Sequence, residues 1–320
     1  MLTGRLTDSG LAGLVVALDP ASMSIRLGRQ VTTVEVLRHK PARRCVVRYD
    51  TADGPLIGKL RAGHRAASPY RLMERFRSAG FDDSAADGIT VAAPVAAFDD
   101  LEMWVQRCAP GVPADRLLDL AHTATLVAAA AARAAFKIHT ADVATRRHHY
   151  IDDELRILEA ALGQAAARRP ALAERIDALL RRCRRRAADA DDLLDRGGPR
   201  GVHRDFYADQ LVLHGDRVTV IDFDLYCAAD PALDHGNFIA HLTEHALRVH
   251  RDPLALAAAE QVCLETAIGL EGEQHREAIE VYAELTLARH VALSTTVAGR
   301  GHTTSDLLAW CEQRVATADR

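Results

Sequence analysis

Along the first third of the chain, apolar residues alternate with polar ones or run in short β-branched stretches. Val31–His39 (VTTVEVLRH) and Arg44–Asp50 (RCVVRYD) carry this pattern, which sets successive side chains on opposite faces of a strand. The turn KPAR separates them. TADG (Thr51–Gly54) closes a hairpin, and PLIGKLRA follows as a third strand. In SPYRLMERFRSAG the period becomes helical, with Ser68 at the N-cap, Pro69 at the first helical position and Gly80 at the end. VAAPVAAFDD and LEMWVQRC read as two more strands in hairpin relation. Near the start, LAGLVVAL (from Leu11) reads as a short amphipathic helix or a buried strand. Asp19 and Pro20 follow it at once, which argues against a signal peptide.

After Cys108 the pattern changes. Ala109–Pro113 (APGVP) reads as a hinge. One Ala-rich helix is expected over Leu117–His139 and another from Asp152 to about Ala167. A third should begin at Pro170 and end at Gly197–Gly198. A compact β-like island, GVHRDFYADQLVLHGDRVTVIDFD, interrupts the helices, which resume from His235. No period of 20 to 50 residues repeats, so solenoids and propellers are excluded. The expected organisation is an N-terminal β-rich lobe, residues 1–106, and a mainly helical lobe, residues 107–320.

Composition narrows the class. The chain has 320 residues, 48% hydrophobic and 26% charged, with a net charge of −4. These values describe a folded chain with a sizeable core and disfavour nucleic acid as the main partner. No apolar run reaches the length of a membrane span. The six cysteines are scattered without a C-x-x-C pair, which points to a reducing cytoplasm rather than a disulfide or zinc scaffold. Of the 40 basic residues only Lys40, Lys59 and Lys137 are lysine. A surviving lysine in such a chain marks a place where a compact, flexible ammonium matters. The basic run Arg181–Arg186 (RRCRRR) reads as a solvated helix face with acids in reach.

Several chemistries lack their motifs. GPLIGK (Gly54–Lys59) has three residues between its glycines and Leu60 where a phosphate loop needs Ser or Thr. No G-x-G-x-x-G, G-x-S-x-G or H-E-x-x-H occurs. What remains is His203-Arg204-Asp205, then Gln210, then Ile221-Asp222-Phe223-Asp224 at the end of the apolar strand VTVID. An acid before a hairpin and an acid after it can converge at one end, with the Gln210 amide oxygen near both. Hard oxygen donors of this kind suit Mg²⁺.

This series, with Asp230-Pro231-Ala232-Leu233-Asp234-His235 downstream, resembles the aminoglycoside phosphotransferase family and its choline-kinase and sugar-kinase relatives. The resemblance covers most of the chain. It implies an α+β, bilobal, protein-kinase-like fold and transfer of the γ-phosphoryl group of ATP to the hydroxyl of a small molecule. It further implies that Asp205 is the catalytic base and that Asp222 and Gln210 hold Mg²⁺, with Gln210 where the common pattern has Asn. Lys59 would hold the α- and β-phosphates and pair with Glu74. Backbone groups of the hinge Val105-Gln106-Arg107-Cys108 would meet the purine, with ATP between the lobes. His203 and Asp234 would brace the catalytic loop. Asp224 is a second metal or substrate contact or a turn residue.

Two other readings stand beside this one. A nucleotide-binding pseudokinase or scaffold draws support from the Asn-to-Gln departure. A protein kinase is disfavoured, because Phe223 is followed by Asp224 rather than Gly and no A-P-E occurs. For the acceptor, the helices after Asp224 are rich in acids, Glu244 and Glu284 among them. They predict a cationic acceptor such as an amino sugar or aminoglycoside, with a neutral sugar, choline or homoserine as alternatives.

Overall fold

The computed structural model describes residues 6–63, 65–194 and 198–318. Two short helices open it, α1 (Leu14–Ala17) and α2 (Pro20–Leu27). LAGLVVAL is therefore helical at its centre, and α2 is an element the apolar pattern did not announce. It starts where Asp19 accepts a hydrogen bond from the Ser22 N–H at 2.8 Å and Pro20 fills the first helical position. Then come β1 (Val31–Lys40), β2 (Arg44–Thr51), β3 (Leu56–Arg61), α3 (Ala67–Phe76), β4 (Ile89–Val91), β5 (Pro94–Phe98) and β6 (Met103–Arg107). Helix α3 starts one residue before Ser68, because Asp99 rather than Ser68 takes up an open N–H, that of Ala67 at 3.2 Å.

After β7 (Val112–Pro113) come α4 (Ala121–Thr140), α5 (Ile151–Arg168) and α6 (Ala173–Asp189). Helix α4 begins later than Leu117 because residues 114–117 form a tighter 3₁₀ turn. Helix α6 ends at Asp189, short of the expected stop, and Gly197 lies outside the described residues. The rest is β8 (Arg200–Val202), β9 (Leu211–His214), β10 (Arg217–Val220), β11 (Cys227–Ala229), α7 (Ala232–His245), α8 (Ala257–Glu271), α9 (Arg276–Ser294) and α10 (Thr304–Ala318).

The chain divides into two compact units. The first comprises Met1–Gly111 and Val212–Asp224, the second Val112–Leu211 and Leu225–Arg320. This differs from a single cut at residue 106. Strand β10 joins the first unit because it pairs in parallel with β4, Val218 to Ile89 and Val220 to Val91. The Thr90 and Thr219 hydroxyls meet there at 3.0 Å. That pairing also explains why VAAPVAAFDD splits: β4 leaves to join β10, while β5 stays with β6.

The main sheet of the first unit is antiparallel, in the order β1-β2-β3-β6-β5. One face carries Cys45, Val47, Tyr49, Leu56, Leu60, Met103 and Val105, packed against Leu14, Ala17, Met23 and Leu27 of the opening helices. Gly58 lies on this face, where an added Cβ would sit 2.7 Å from Cε2 of Tyr49. The glycine lets the Tyr49 ring pass, and its hydroxyl donates to the Ala17 carbonyl at 2.8 Å. The opposite face carries Trp104, with Met73 of α3 and Ala66 beside it.

Among its described residues the second unit is mainly helical, with the short strand β7 and the antiparallel pair β8–β11. The arginine run lies on α6, with Cys183 buried. It finds partners on neighbouring helices: Arg184 reaches Glu159 at 2.5 Å and Arg186 reaches Glu277 at 2.8 Å. A sheet-based first unit and a helical second unit make the chain α+β, as expected. Among the described residues, no helix is long and apolar enough to cross a membrane.

Candidate active site

In the first unit, β3 alternates buried and half-buried positions, so Lys59 and Arg61 fall on the face away from the α1–α2 core. Lys59 Nζ lies 3.2 Å from Asp222 Oδ1 and 5.9 Å from the Trp104 ring centroid. Asp222 follows β10 and adopts a left-handed backbone, φ 67°. A non-glycine residue in that region is strained and is a mark of functional sites. Phe223 anchors the turn, its ring 4.4 Å from that of Phe76 on α3. Asp224 Oδ2 meets Arg61 Nη1 at 2.5 Å. The structure thus brings together two acids and two bases from β3 and the β10 turn. A cavity of about 430 Å³ adjoins Arg61 and is also lined by Lys40, Ala42, Arg43, Arg44 and Ala62. Its basic lining suits polyphosphate.

Two expectations change here. Glu74 is exposed on α3, and Lys59 pairs with Asp222 instead. In the hinge, Val105 and Gln106 lie within β6, flanked by β3 and β5. The Arg107 N–H donates to the Ala93 carbonyl at 2.8 Å and the Cys108 N–H to the Pro55 carbonyl at 3.0 Å. Both donors are already used by the sheet, so neither serves a purine.

In the second unit, Asp205 sits half-buried on the loop after β8. Asp234 on α7 holds that loop. Its Oδ2 accepts from the His203 N–H and its Oδ1 from the Arg204 N–H, each at 2.7 Å. Arg204 has φ 71°, and its carbonyl accepts from Asn237 Nδ2 at 2.8 Å. The strained turn is therefore pinned on both sides. His203 is buried and edge-on to Phe206. The bracing role expected of Asp234 is what the structure shows.

Behind Asp234 runs a buried chain that the sequence reading missed. His139 Nε2 lies 3.0 Å from Asp234 Oδ2 and its Nδ1 2.7 Å from Glu271 Oε1. Arg200 Nη1 donates to Glu271 Oε2 at 2.8 Å. Burial opposes charge on His139, but the two carboxylates outweigh it and raise the imidazole to about 8. Burial likewise opposes charge on Asp234, yet the hydrogen bond from His139 holds its carboxyl below the usual value. His139, Glu271 and Arg200 lie far apart in sequence, and no local motif marks them.

The remaining predicted residues fall as follows. Gln210 is buried at the end of a 3₁₀ turn and runs directly into β9. Glu244 is buried on α7 and bound by Arg248 at 2.9 Å and Arg300 at 3.3 Å. Glu284 lies 3.6 Å from Arg186, and burial pushes its carboxyl up against that pull. Neither is an open anionic wall for a cationic acceptor. Burying a carboxylate is costly without a counterion, so these acids were placed beside arginines.

A family model for the phosphotransferase enzyme family matches residues 42–267. The chain belongs to this family. Among solved structures, a thermostable mutant of aminoglycoside phosphotransferase APH(4)-Ia superposes with a TM-score of 0.64 at 14% identity, covering 94% of this chain and 99% of that one. A choline/ethanolamine kinase family protein from Mesorhizobium loti gives 0.60 at 13%, covering 94% and 92%. Spectinomycin phosphotransferase APH(9)-Ia, in complex with ADP and spectinomycin, gives 0.59 at 10%, covering 92% of both chains. No curated protein matches. At these identities the structures establish the fold, and the family match makes this phosphotransferase a kinase-type enzyme.

Proposed function

We propose that this phosphotransferase moves the γ-phosphoryl group of ATP to a hydroxyl of a small molecule, with Asp205 as the base. The observation that carries the reading is the anchoring of the His203–Asp205 loop by both oxygens of Asp234. A base acts only when its carboxylate is held in place, and this loop has its backbone fixed on either side of Arg204. The acceptor oxygen bonds to the γ-phosphorus while the bond to the β–γ bridging oxygen breaks. ADP leaves with that electron pair, and the hydroxyl proton passes to Asp205.

The nucleotide side falls to the first unit. Lys59, Arg61 and the basic cavity beside them supply positive charge for phosphate. Ala109 carries the first N–H beyond the two that the sheet uses, and we assign it to the purine. Asp222 and Asp224 are hard oxygen donors two positions apart on one turn, a donor set that fits Mg²⁺. Bound there, the ion would neutralise charge on the phosphates. Lys59 and Arg61 hold these carboxylates in orientation. Two structural neighbours are complexes with ADP, one with spectinomycin and the other with hygromycin B as well. They favour ATP as donor here.

The test is ADP release from ATP and Mg²⁺ across a panel of small alcohols, sugars, amino sugars and sugar acids, with Asp205→Asn alongside. The expected result is acceptor-dependent turnover, lowered about 100-fold or more in the variant with nucleotide affinity retained. Nucleotide binding that is equal with and without Mg²⁺, and no turnover with any acceptor, would establish the scaffold reading instead.

A further inference from the structure

The arginines beside the Asp205 loop outnumber the acids that hold them. Glu154 lies 3.9 Å from Arg204 and 3.7 Å from Arg289. Glu244 lies 2.9 Å from Arg248 and 3.3 Å from Arg300. Four guanidinium groups thus share two carboxylates, and Glu154 also meets His149 at 2.6 Å, so that basic groups outnumber these two acids even with Asp205 counted beside them. The acids lie beneath, their side chains only 7% and 4% exposed, while the arginine side chains are between 21% and 31% exposed. A buried carboxylate under two partly open guanidinium forks orients the forks and leaves donors to spare, since each guanidinium has five N–H groups.

Stacking ties this cluster to the loop. Tyr207, two residues past Asp205, stacks on His241 at 4.4 Å with the planes 12° apart, and His241 meets His290 edge-on at 4.4 Å. His241 lies on α7 and Arg248 in the π-helical turn that continues it, while Arg289 adjoins His290 on α9. The field of the arginines is felt here. Burial first, then Arg289, Arg300 and Arg248, pushes His241 down to about 3. The same causes, with His241 added, hold His290 well below its ordinary value.

We propose that the acceptor alcohol carries an anionic oxyacid group, a carboxylate or a phosphate, bound by Arg248, Arg289 and Arg300 while its hydroxyl meets Asp205. This rests on the phosphotransfer reading above and names the substrate class for it. It replaces the cationic acceptor that the count of glutamates in the last helices predicted. Arginine forks recognise planar or tetrahedral oxyanions bidentately, and a positive field repels the ammonium groups of an amino sugar.

The test reads binding apart from turnover. The full chain, with ADP present to occupy the nucleotide side, is titrated calorimetrically with D-gluconate, D-glucose 6-phosphate, D-glucose and D-glucosamine. The expected result is that at least one anion binds about tenfold or more tightly than the neutral and cationic sugars. Gluconate and glucose 6-phosphate separate the carboxylate from the phosphate source. The preference should collapse in an Arg289→Gln/Arg300→Gln double variant and return in the Lys/Lys pair, which keeps the charge and controls for folding. Equal binding of all four, preference for glucosamine, binding by none, or an anion preference unchanged in the Gln/Gln variant would each overturn it. Anion binding by the arginines without ADP release from ATP with any anionic alcohol would leave the anion site standing and overturn its role as an acceptor site, so the two failures are told apart.

Discussion

At the residue scale, Asp234 does two jobs with one carboxylate: each oxygen holds a loop N–H, and Oδ2 also meets His139. An amide at this position keeps the shape but cannot accept on both sides. Asp234→Asn should cost about 3 kcal/mol of stability, as for one partner lost from a buried charged network. It should also lower kcat about tenfold, since the proposed base Asp205 is no longer held. Chemical denaturation and steady-state rates check the two parts separately. Lys59 holds Asp222, so Lys59→Met should free that carboxylate and, on the proposed function, remove a phosphate ligand at once. The expected outcome is a KM for ATP raised about tenfold or more together with a lower kcat, read by varying ATP at fixed acceptor.

At the element scale, close approach explains two glycines. Gly58 of β3 leaves room for Tyr49, and Gly236 of α7 lets that helix lie against α9. At Gly236 an added Cβ would sit 2.7 Å from the Ala283 nitrogen and 2.8 Å from the Ile279 carbonyl oxygen. Backbone cannot rotate away as a ring can. Gly236→Ala should therefore destabilise more than Gly58→Ala. About 2–3 kcal/mol is expected at Gly236 and about 1–2 kcal/mol at Gly58, measured as shifts in the denaturation midpoint. Because α7 also carries Asp234 and Asn237, the α7 substitution should disturb the Asp205 loop as well.

At the scale of the whole molecule, buried histidines of opposite tendency predict how stability depends on pH. His139 is held charged in the folded chain, raised from 6.5 to about 8. A raised value contributes stability that is complete below about pH 6.5 and is lost as pH rises through about 8, on the order of 2 kcal/mol. His241 and His290 are held neutral, with lowered values. Their contribution is complete above the unfolded value near 6.5 and is lost as pH falls below it. Stability should therefore peak near pH 6.5 and fall on both sides. Thermal melts from pH 5 to 9 check this, and His139→Gln should flatten the alkaline fall while leaving the acid side in place.

What the sequence determined by itself was whatever local patterning and short motifs can carry. Period-two alternation placed β1, β2 and β3 and put Lys59 opposite the core face. The H-R-D series and the acid after VTVID singled out Asp205 and Asp222 as candidates, because a turn motif is contiguous in the chain. The α+β class followed from strands early and helices late. Tertiary structure alone decided what depends on distant partners. It split VAAPVAAFDD, because the partner of β4 lies more than 120 residues away in β10. It paired Lys59 with Asp222 rather than Glu74, and assembled Arg200, Glu271, His139 and Asp234 from four separate segments. It also changed the meaning of the acids in the last helices. A glutamate counted in a sequence is a negative charge, but Glu244 beneath Arg248 and Arg300 is the anchor of a positive surface. Charge is additive along a chain, whereas the field at a site depends on which groups folding buries and which it leaves facing outward.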